Sequence, residues 1–430
     1  MFGTFLIDIA LILVISQGLG KLFRLLGQPP VIGQIVAGIL LGPSLIGHVL
    51  PSFSATVFSH SNLSVLEIIS NLGLVLYLFL VGLELNTGYL DRRRRATVMI
   101  VSFSSMFLPF GLGLLLAGSL YRRYSLPNAS PAGFALFIAT AFSITAFPVL
   151  VQIIRQQRME DTPLGVMAIL CASANDVVAW FLLSIVVALI SPGESGSLLS
   201  YKALGVVLYF GFMFGVFRPL AGRIVKRLPT TRMTENQFLL ALLCLVLSAV
   251  ATDKLGIHAY TGAFISGIVF PKIPEWQVRI KERIEPLASG LFLPLFFALS
   301  GLRTQAQLLP GNWLWMTVIL LVAIAGKFGG ASIGGLICRM EKSGAAALGI
   351  LLNARGLVEL IVLNVGYQAG ILSATLFSMM IVMALTTTII TTPLLQLVFL
   401  NNYRLASAAS SVVTNTHASD TVCVSCSSRH

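Results

Sequence analysis

The chain is 430 residues long, 56% hydrophobic and only 10% charged, with a formal net charge of +12. No ordinary soluble domain shows that balance, so a polytopic membrane protein is expected. The positive charge raises nucleic acid as a partner, but the placement of the basic residues between apolar runs argues against it.

Apolar runs separated by turn or charge clusters predict 13 spans. They lie at about 4–25, 29–47, 63–85, 96–120, 131–154, 162–190, 200–217, 236–253, 256–271, 286–303, 312–338, 345–369 and 373–399. Most are close to the ~20 residues that a helix needs to cross a ~30 Å hydrocarbon core. The expected fold is therefore an all-α bundle in the lipid bilayer. The first run has no basic leader and continues to Lys21, unlike a cleavable signal peptide. Cys171, Cys244 and Cys338 lie in apolar runs, and Cys423 with Cys426 makes a single CxxC, which cannot complete a zinc site. His48, His60 and His258 have no metal-ligand spacing. No P-loop, nucleophile motif, cofactor or resident metal is expected.

The connections set the orientation. With the N-terminus outside, most basic residues become cytoplasmic, including Lys21, the run Arg92–Arg95, Arg155, Arg223, Arg279 and Arg339. Arg122, Arg123, Lys202, Lys254 and Arg303 remain outside. This excess predicts an outer N-terminus and a cytoplasmic C-terminus. The charged loop 272–285 is expected to cover the cytoplasmic surface. Asp8 is expected at the outer edge of span one, and Glu67 and Glu84 near span ends in surface pairs.

The chain also repeats. LGQPPVIGQIVAGI (26–39) and LGIHAYTGAFISGI (255–268) share L-G-x5-G-x4-G-I, so Gly27, Gly33 and Gly38 answer Gly256, Gly262 and Gly267. A weaker echo links LYLFLVGLEL (76–85) with LPLFFALSGLRT (293–304). The offset is seven spans, an odd number, so the copies are inverted in the membrane. A membrane domain over residues 1–400 follows, with repeat one at 4–190, a linker helix at 200–217 and repeat two at 236–399. Residues 401–430 form a Ser/Thr/Ala-rich tail, expected to be cytoplasmic and disordered.

The same offset pairs span five with span twelve, and both are interrupted. Span five carries Thr140, Ser143, Thr145 and Pro148; span twelve carries Asn353, Arg355, Gly356 and Glu359. Polar, helix-breaking stretches at membrane depth line a cavity or are covered by protein. Two of them at equivalent repeat positions point to a transport site. Arg355 and Glu359, four residues apart, are placed to compensate the partial charges of broken helix ends.

Asp176 lies in the middle of span six, and Lys327 in the middle of span eleven. Ionisable side chains there are costly and mark function by default. A hard alkali cation wants oxygen ligands, which Asp176, Asn175, Ser173 and the hydroxyls of Thr140, Ser143 and Thr145 supply. Burial favours a neutral carboxyl, whereas a nearby ammonium favours the charged one. One site that takes a proton or a cation, but not both, gives exchange. The bland alternative is that Asp176 and Lys327 form a buried pair that only fixes helix packing. A cation channel with a related polar core is the rival functional reading. An intramembrane enzyme would need a second catalytic carboxylate or a metal set.

These motifs together resemble the monovalent cation/proton antiporter family, in its second branch. That branch holds Kef-type potassium antiporters, bacterial sodium/proton antiporters and plant cation/H+ exchangers. The resemblance rests on GQIVAGILLGPSLIG (33–47), LYLFLVGLEL (76–85), ATAFSITAFPVL (139–150), ASANDVVAW (172–180), GAFISGIVFP (262–271), LPLFFALSGL (293–302) and NARGLVELIVLN (353–364). It implies the sodium/proton antiporter fold of about 13 helices with two broken crossing helices, a homodimer, and K+ or Na+ and H+ as the exchanged ions. It makes Asp176 the ion-binding aspartate, Asn175 its neighbour and Lys327 the facing lysine. The electrogenic sodium exchangers of the family carry two adjacent aspartates where this chain has Asn175-Asp176. The Asn-Asp pair with lysine looks closest to the plant-type exchangers. Kef-type members carry a nucleotide-binding regulatory domain after the membrane part, and none is expected within these 430 residues.

Overall fold

The computed structural model describes residues 2–52, 58, 60–84, 92–127, 129–160, 162–190, 196–226, 233–255 and 258–400. Among them there are helices and no strand. In chain order these are α1 (Phe2–Leu25), α2 (Pro30–Leu41), the short α3 (Ile46–Val49), α4 (His60–Glu84), α5 (Arg92–Tyr124) and α6 (Pro131–Ser143). Next come α7 (Phe147–Gln156), α8 (Pro163–Ile190), α9 (Gly196–Phe212), α10 (Arg218–Lys226), α11 (Glu235–Lys254) and α12 (Ala259–Val269). The last are α13 (Pro274–Leu287), α14 (Leu293–Leu302), α15 (Trp313–Ile337), α16 (Lys342–Leu352), α17 (Leu357–Gln368) and α18 (Ala374–Leu395).

Among the described residues, 11 helical stretches are long and apolar enough to cross a membrane, and the bent pair α16–α17 makes a twelfth. The short apolar α12 is the remaining one of the 13 sequence spans. One expectation is corrected. Residues 272–285 are not a loop: α13 occupies most of them and continues through a π-helical turn, Ala288–Phe292, into α14. Trp276, Ile280 and Ile284 are buried at helical spacing, so this amphipathic turn packs inward while its charges face out.

The helices sort into two packing groups. In one, α5 packs on α6, α8 and α15, α16 and α18 close against α15 and each other, and α17 packs on α6 and α18. In the other, α1, α2, α4, α11, α12 and α14 pack together. The α9 helix touches α8 of the first group, and the π-turn after it, Met213–Phe217, touches α12 of the second. Each group therefore takes three spans from each half of the chain, seven spans apart.

The repeat glycines sit at equivalent close approaches. A Cβ on Gly38 would lie 2.0 Å from the Ala298 carbonyl oxygen of α14, and one on Gly267 would lie 2.2 Å from that of Phe79 in α4. Gly33 and Gly262 likewise meet the Leu19 and Ser248 carbonyls, at 2.4 and 2.3 Å. Span two thus contacts spans one and ten as span nine contacts spans eight and three. Gly256 lies outside the described residues.

Candidate functional site

The site forms where the two interrupted spans meet. In α6, Pro131 stands in the first turn and the Ser130 side chain accepts from the Gly133 N–H. The helix stops at Ser143 and resumes at Phe147, because Pro148 has no N–H to give the Ile144 carbonyl. The α16 helix stops at Leu352 and α17 starts at Leu357, with a bend of 42°. Residues 144–146 and 353–356 pass each other, and the Ala146 N–H donates to the Ala354 carbonyl at 3.2 Å.

Arg355 joins the broken ends. Its guanidinium donates to the last carbonyls of α6, Ala141 at 3.2 Å and Phe142 at 3.0 Å, and to Glu359 Oε1 at 2.8 Å. Glu359 lies in the first turn of α17. The cation therefore faces a helix C-terminus and the anion sits at a helix N-terminus, each matching the local dipole. Both side chains are fully buried, with a 0% exposed ion pair.

Beside the crossing, Thr145 is a hub. Lys327 Nζ donates to Thr145 Oγ1 at 2.6 Å, and Asn175 Nδ2 donates to the same oxygen at 3.3 Å. The Thr145 hydroxyl in turn donates to the Leu352 carbonyl at 3.3 Å. A hydroxyl has one proton and two lone pairs, so Thr145 is saturated. The second proton of the Asn175 amide goes to Ser105 Oγ of α5 at 3.0 Å.

Asp176 sits one residue on, 1% exposed. Both of its carboxylate oxygens are buried without a hydrogen bond of standard geometry, and so is Asn175 Oδ1. The Phe147 amide at the start of α7 lies close to the carboxylate with looser geometry. No ion pair within 4.0 Å joins Asp176 to Lys327 among the described residues. Three acceptor oxygens on adjacent residues thus stand buried beside a lysine that is held elsewhere.

The structure brings together Asp176, Asn175, Thr145 and Lys327, and separately Arg355 with Glu359. It does not tie Thr140, Ser143 or Ser173 to them by a hydrogen bond. Each donates to its own helix: Thr140 to Leu136, Ser143 to Thr140 and Ser173 to Leu170. Asp8, expected at the outer edge of span one, lies in the second turn of α1. It is fully buried and accepts from Asn62 Nδ2 at 2.8 Å. Glu67 pairs with Arg303 at 2.6 Å, and Glu84 pairs with Lys281.

A sequence model of the family described as "Sodium/hydrogen exchanger, transmembrane" matches residues 9–400. The chain belongs to this family. Its members are transporters, not enzymes. The chain is 40% identical to the Na(+)/H(+) antiporter NhaS4 of Synechocystis sp. over 395 residues, 90% of this chain and 95% of that protein. It is 40% identical to cation/H(+) antiporter 17 of Arabidopsis thaliana over 397 residues, covering 92% of this chain. That match takes in 48% of the plant protein, so the chain spans about half the relative's length. Among solved structures, the sodium proton antiporter MjNhaP1 of Methanocaldococcus jannaschii at pH 8 superposes with a TM-score of 0.64, covering 92% of this chain and 96% of that one. At 16% identity this is a likeness of fold.

Two residues of this antiporter's polar centre were not singled out from sequence. Ser105 lies in an SFSS run of span four (102–105), and Thr388 in a TTTIITT run of span thirteen (386–392). Thr388 Oγ1 accepts the Arg355 N–H at 3.0 Å and lies 2.7 Å from the Arg355 carbonyl, pinning the unwound backbone. Hydroxyls concentrated in an otherwise apolar span were the available signal.

Proposed function

We propose that this protein exchanges a monovalent cation, K+ or Na+, for H+ by alternating access, with the two ions competing at Asp176. The carrying observation is a set of three buried acceptors short of donors: Asn175 Oδ1, and both Asp176 oxygens with the loosely placed Phe147 N–H between them. Such oxygens in a water-poor interior call for a proton or a cation. One carboxylate takes one or the other.

Thr145 gives the competition a moving part. With its lone pairs filled by Lys327 and Asn175, it has none for a cation. Lys327 must leave Thr145, and stay clear of Asp176, before Thr145 joins the cation's ligands; it pairs with Asp176 when no cation is bound. Thr140, Ser143 and Ser173 keep unused lone pairs and complete the oxygen shell in a rearranged site. Arg355 and Glu359 hold the broken ends in place while this occurs.

The likeness to NhaS4 and to the plant cation antiporter supports exchange coupled to protons. In our reading the chain works as a homodimer, with its N-terminus outside and its C-terminus in the cytoplasm. The membrane part is two inverted repeats joined by a linker helix. Proton flux driven by K+ or Na+ gradients in proteoliposomes tests the assignment, and flux that follows the cation without moving protons would favour a channel.

A further inference from the structure

The geometry points to Ser105 of α5 as a positioning residue that holds the Asn175 amide with its oxygen turned toward the transported ion. This rests on the exchange reading above and adds to it a residue outside both interrupted spans.

A carboxamide has two N–H donors on one side and an acceptor oxygen on the other, and a 180° flip exchanges them. The Asn175 donors meet Ser105 Oγ at 3.0 Å and Thr145 Oγ1 at 3.3 Å. Neither hydroxyl has a proton to offer in return. Ser105 donates to the Ser102 carbonyl at 2.9 Å, and Thr145 donates to that of Leu352. Flipping the amide would set its oxygen against two oxygens without a hydrogen between them. The orientation is therefore fixed by two hydroxyls, and Oδ1 is left as a buried, unpartnered acceptor on the residue before Asp176.

Thr145 cannot fix the amide alone through a transport cycle. Its hydroxyl also holds Lys327, which the exchange reading requires to move. Ser105 makes no bond to either charged residue, so its hold on Asn175 survives that movement. It is fully buried, and its helix is firmly seated. Pro109, one turn further along α5, packs on α15, where a Cβ at Gly326 would lie 2.8 Å from the Pro109 Cα. Gly330 makes the next close approach along the same ridge, to the Ser104 carbonyl. On its other side, Ser102 donates to the Cys171 carbonyl of α8 at 3.3 Å. Ser105 is thus carried by a turn braced against both the lysine helix and the aspartate helix.

The test is a double-mutant cycle on the full chain, read by transport and by cation binding. Ser105→Ala frees the amide and should raise the cation KM about three- to tenfold, the worth of one hydrogen bond, while Vmax stays within about twofold. Ser105→Thr keeps the hydroxyl and should restore the wild-type KM. Cation-induced thermal stabilisation of the purified protein should weaken in Ser105→Ala, but the same change should add nothing in an Asn175→Ala background. An unchanged KM in Ser105→Ala, or an equal loss of binding with and without Asn175, would overturn the role of Ser105 and leave exchange intact. Wild-type protein that neither binds a cation nor couples it to protons would overturn both.

Discussion

At the scale of residues, the polar centre is a set of donors and acceptors that nearly, but not fully, match. Thr145 and the Asn175 amide nitrogen are satisfied; Asp176 and the Asn175 oxygen are not, and Lys327 gives one of its three ammonium protons to Thr145. Thr145→Val strips one acceptor from two buried donors and should destabilise the protein by about 1–3 kcal/mol. Cation-coupled proton flux should fall with it, measured alongside thermal unfolding in detergent. Arg355→Met leaves Glu359 buried without its cation, at a cost of about 3–5 kcal/mol. Adding Glu359→Leu should recover much of that loss, which a lasting deficit in the double variant would contradict. Residue types carried this far in the sequence: a mid-span aspartate, a mid-span lysine and an i, i+4 ion pair were all legible. The hydroxyl partners were less so. Thr140, Ser143 and Ser173 had the right chemistry but turn back onto their own helices. Ser105 and Thr388 come from spans with no break or charge to mark them.

The elements were legible wherever composition forced a backbone outcome. Pro148 and the polar run around Gly356 break spans five and twelve because an uninterrupted ladder is unavailable or unfavourable there. Residues 272–285 were read as a loop because their charges hide an amphipathic turn that buries Trp276, Ile280 and Ile284. The glycine crossings carry a sharp prediction. Gly38→Leu drives a side chain into the Ala298 backbone and should cost about 3 kcal/mol or more, seen as loss of folded protein on size-exclusion chromatography. Gly18→Leu, where nothing lies within 4 Å of an added Cβ, is the matched control. Another prediction concerns Lys272, in the connection between α12 and α13, which donates to the Gly82, Leu83 and Gly267 carbonyls. Although the residue as a whole is exposed, desolvation of the ammonium among these carbonyls, with help from Arg218, lowers its pKa to about 7. The native protein then loses this proton near pH 7, while the unfolded chain keeps it to about pH 10.4. The unfolded state binds more protons across that window, so this residue makes stability rise with pH there. Lys272→Gln should flatten the rise in Tm between those limits.

At the scale of the whole molecule, two glycine motifs at one odd offset led us to expect inverted repeats, and the crossings of Gly38 and Gly267 are the contacts that fit that proposal. What sequence could not supply is the set of bonds between the two helix groups. Glu67 of α4 and Arg303 after α14 join Asn364 and Gln368 of α17: Arg303 donates to Asn364 at 2.8 Å, and Gln368 donates to Glu67. These partners are about 60 or 300 residues apart in the chain and carry no periodic signal. If one group moves against the other during exchange, this bridge must open in each cycle. A reducible cross-linker between cysteines at positions 67 and 368 should stop transport, and reduction should restore it. Coupled exchange requires the proton and the cation to share Asp176. The most direct test is cation-driven proton flux in proteoliposomes containing Asp176→Asn, with K+ and Na+ supplied in turn and the membrane potential clamped. We expect folded protein with no coupled flux for either ion; coupled flux at the wild-type rate would contradict the account.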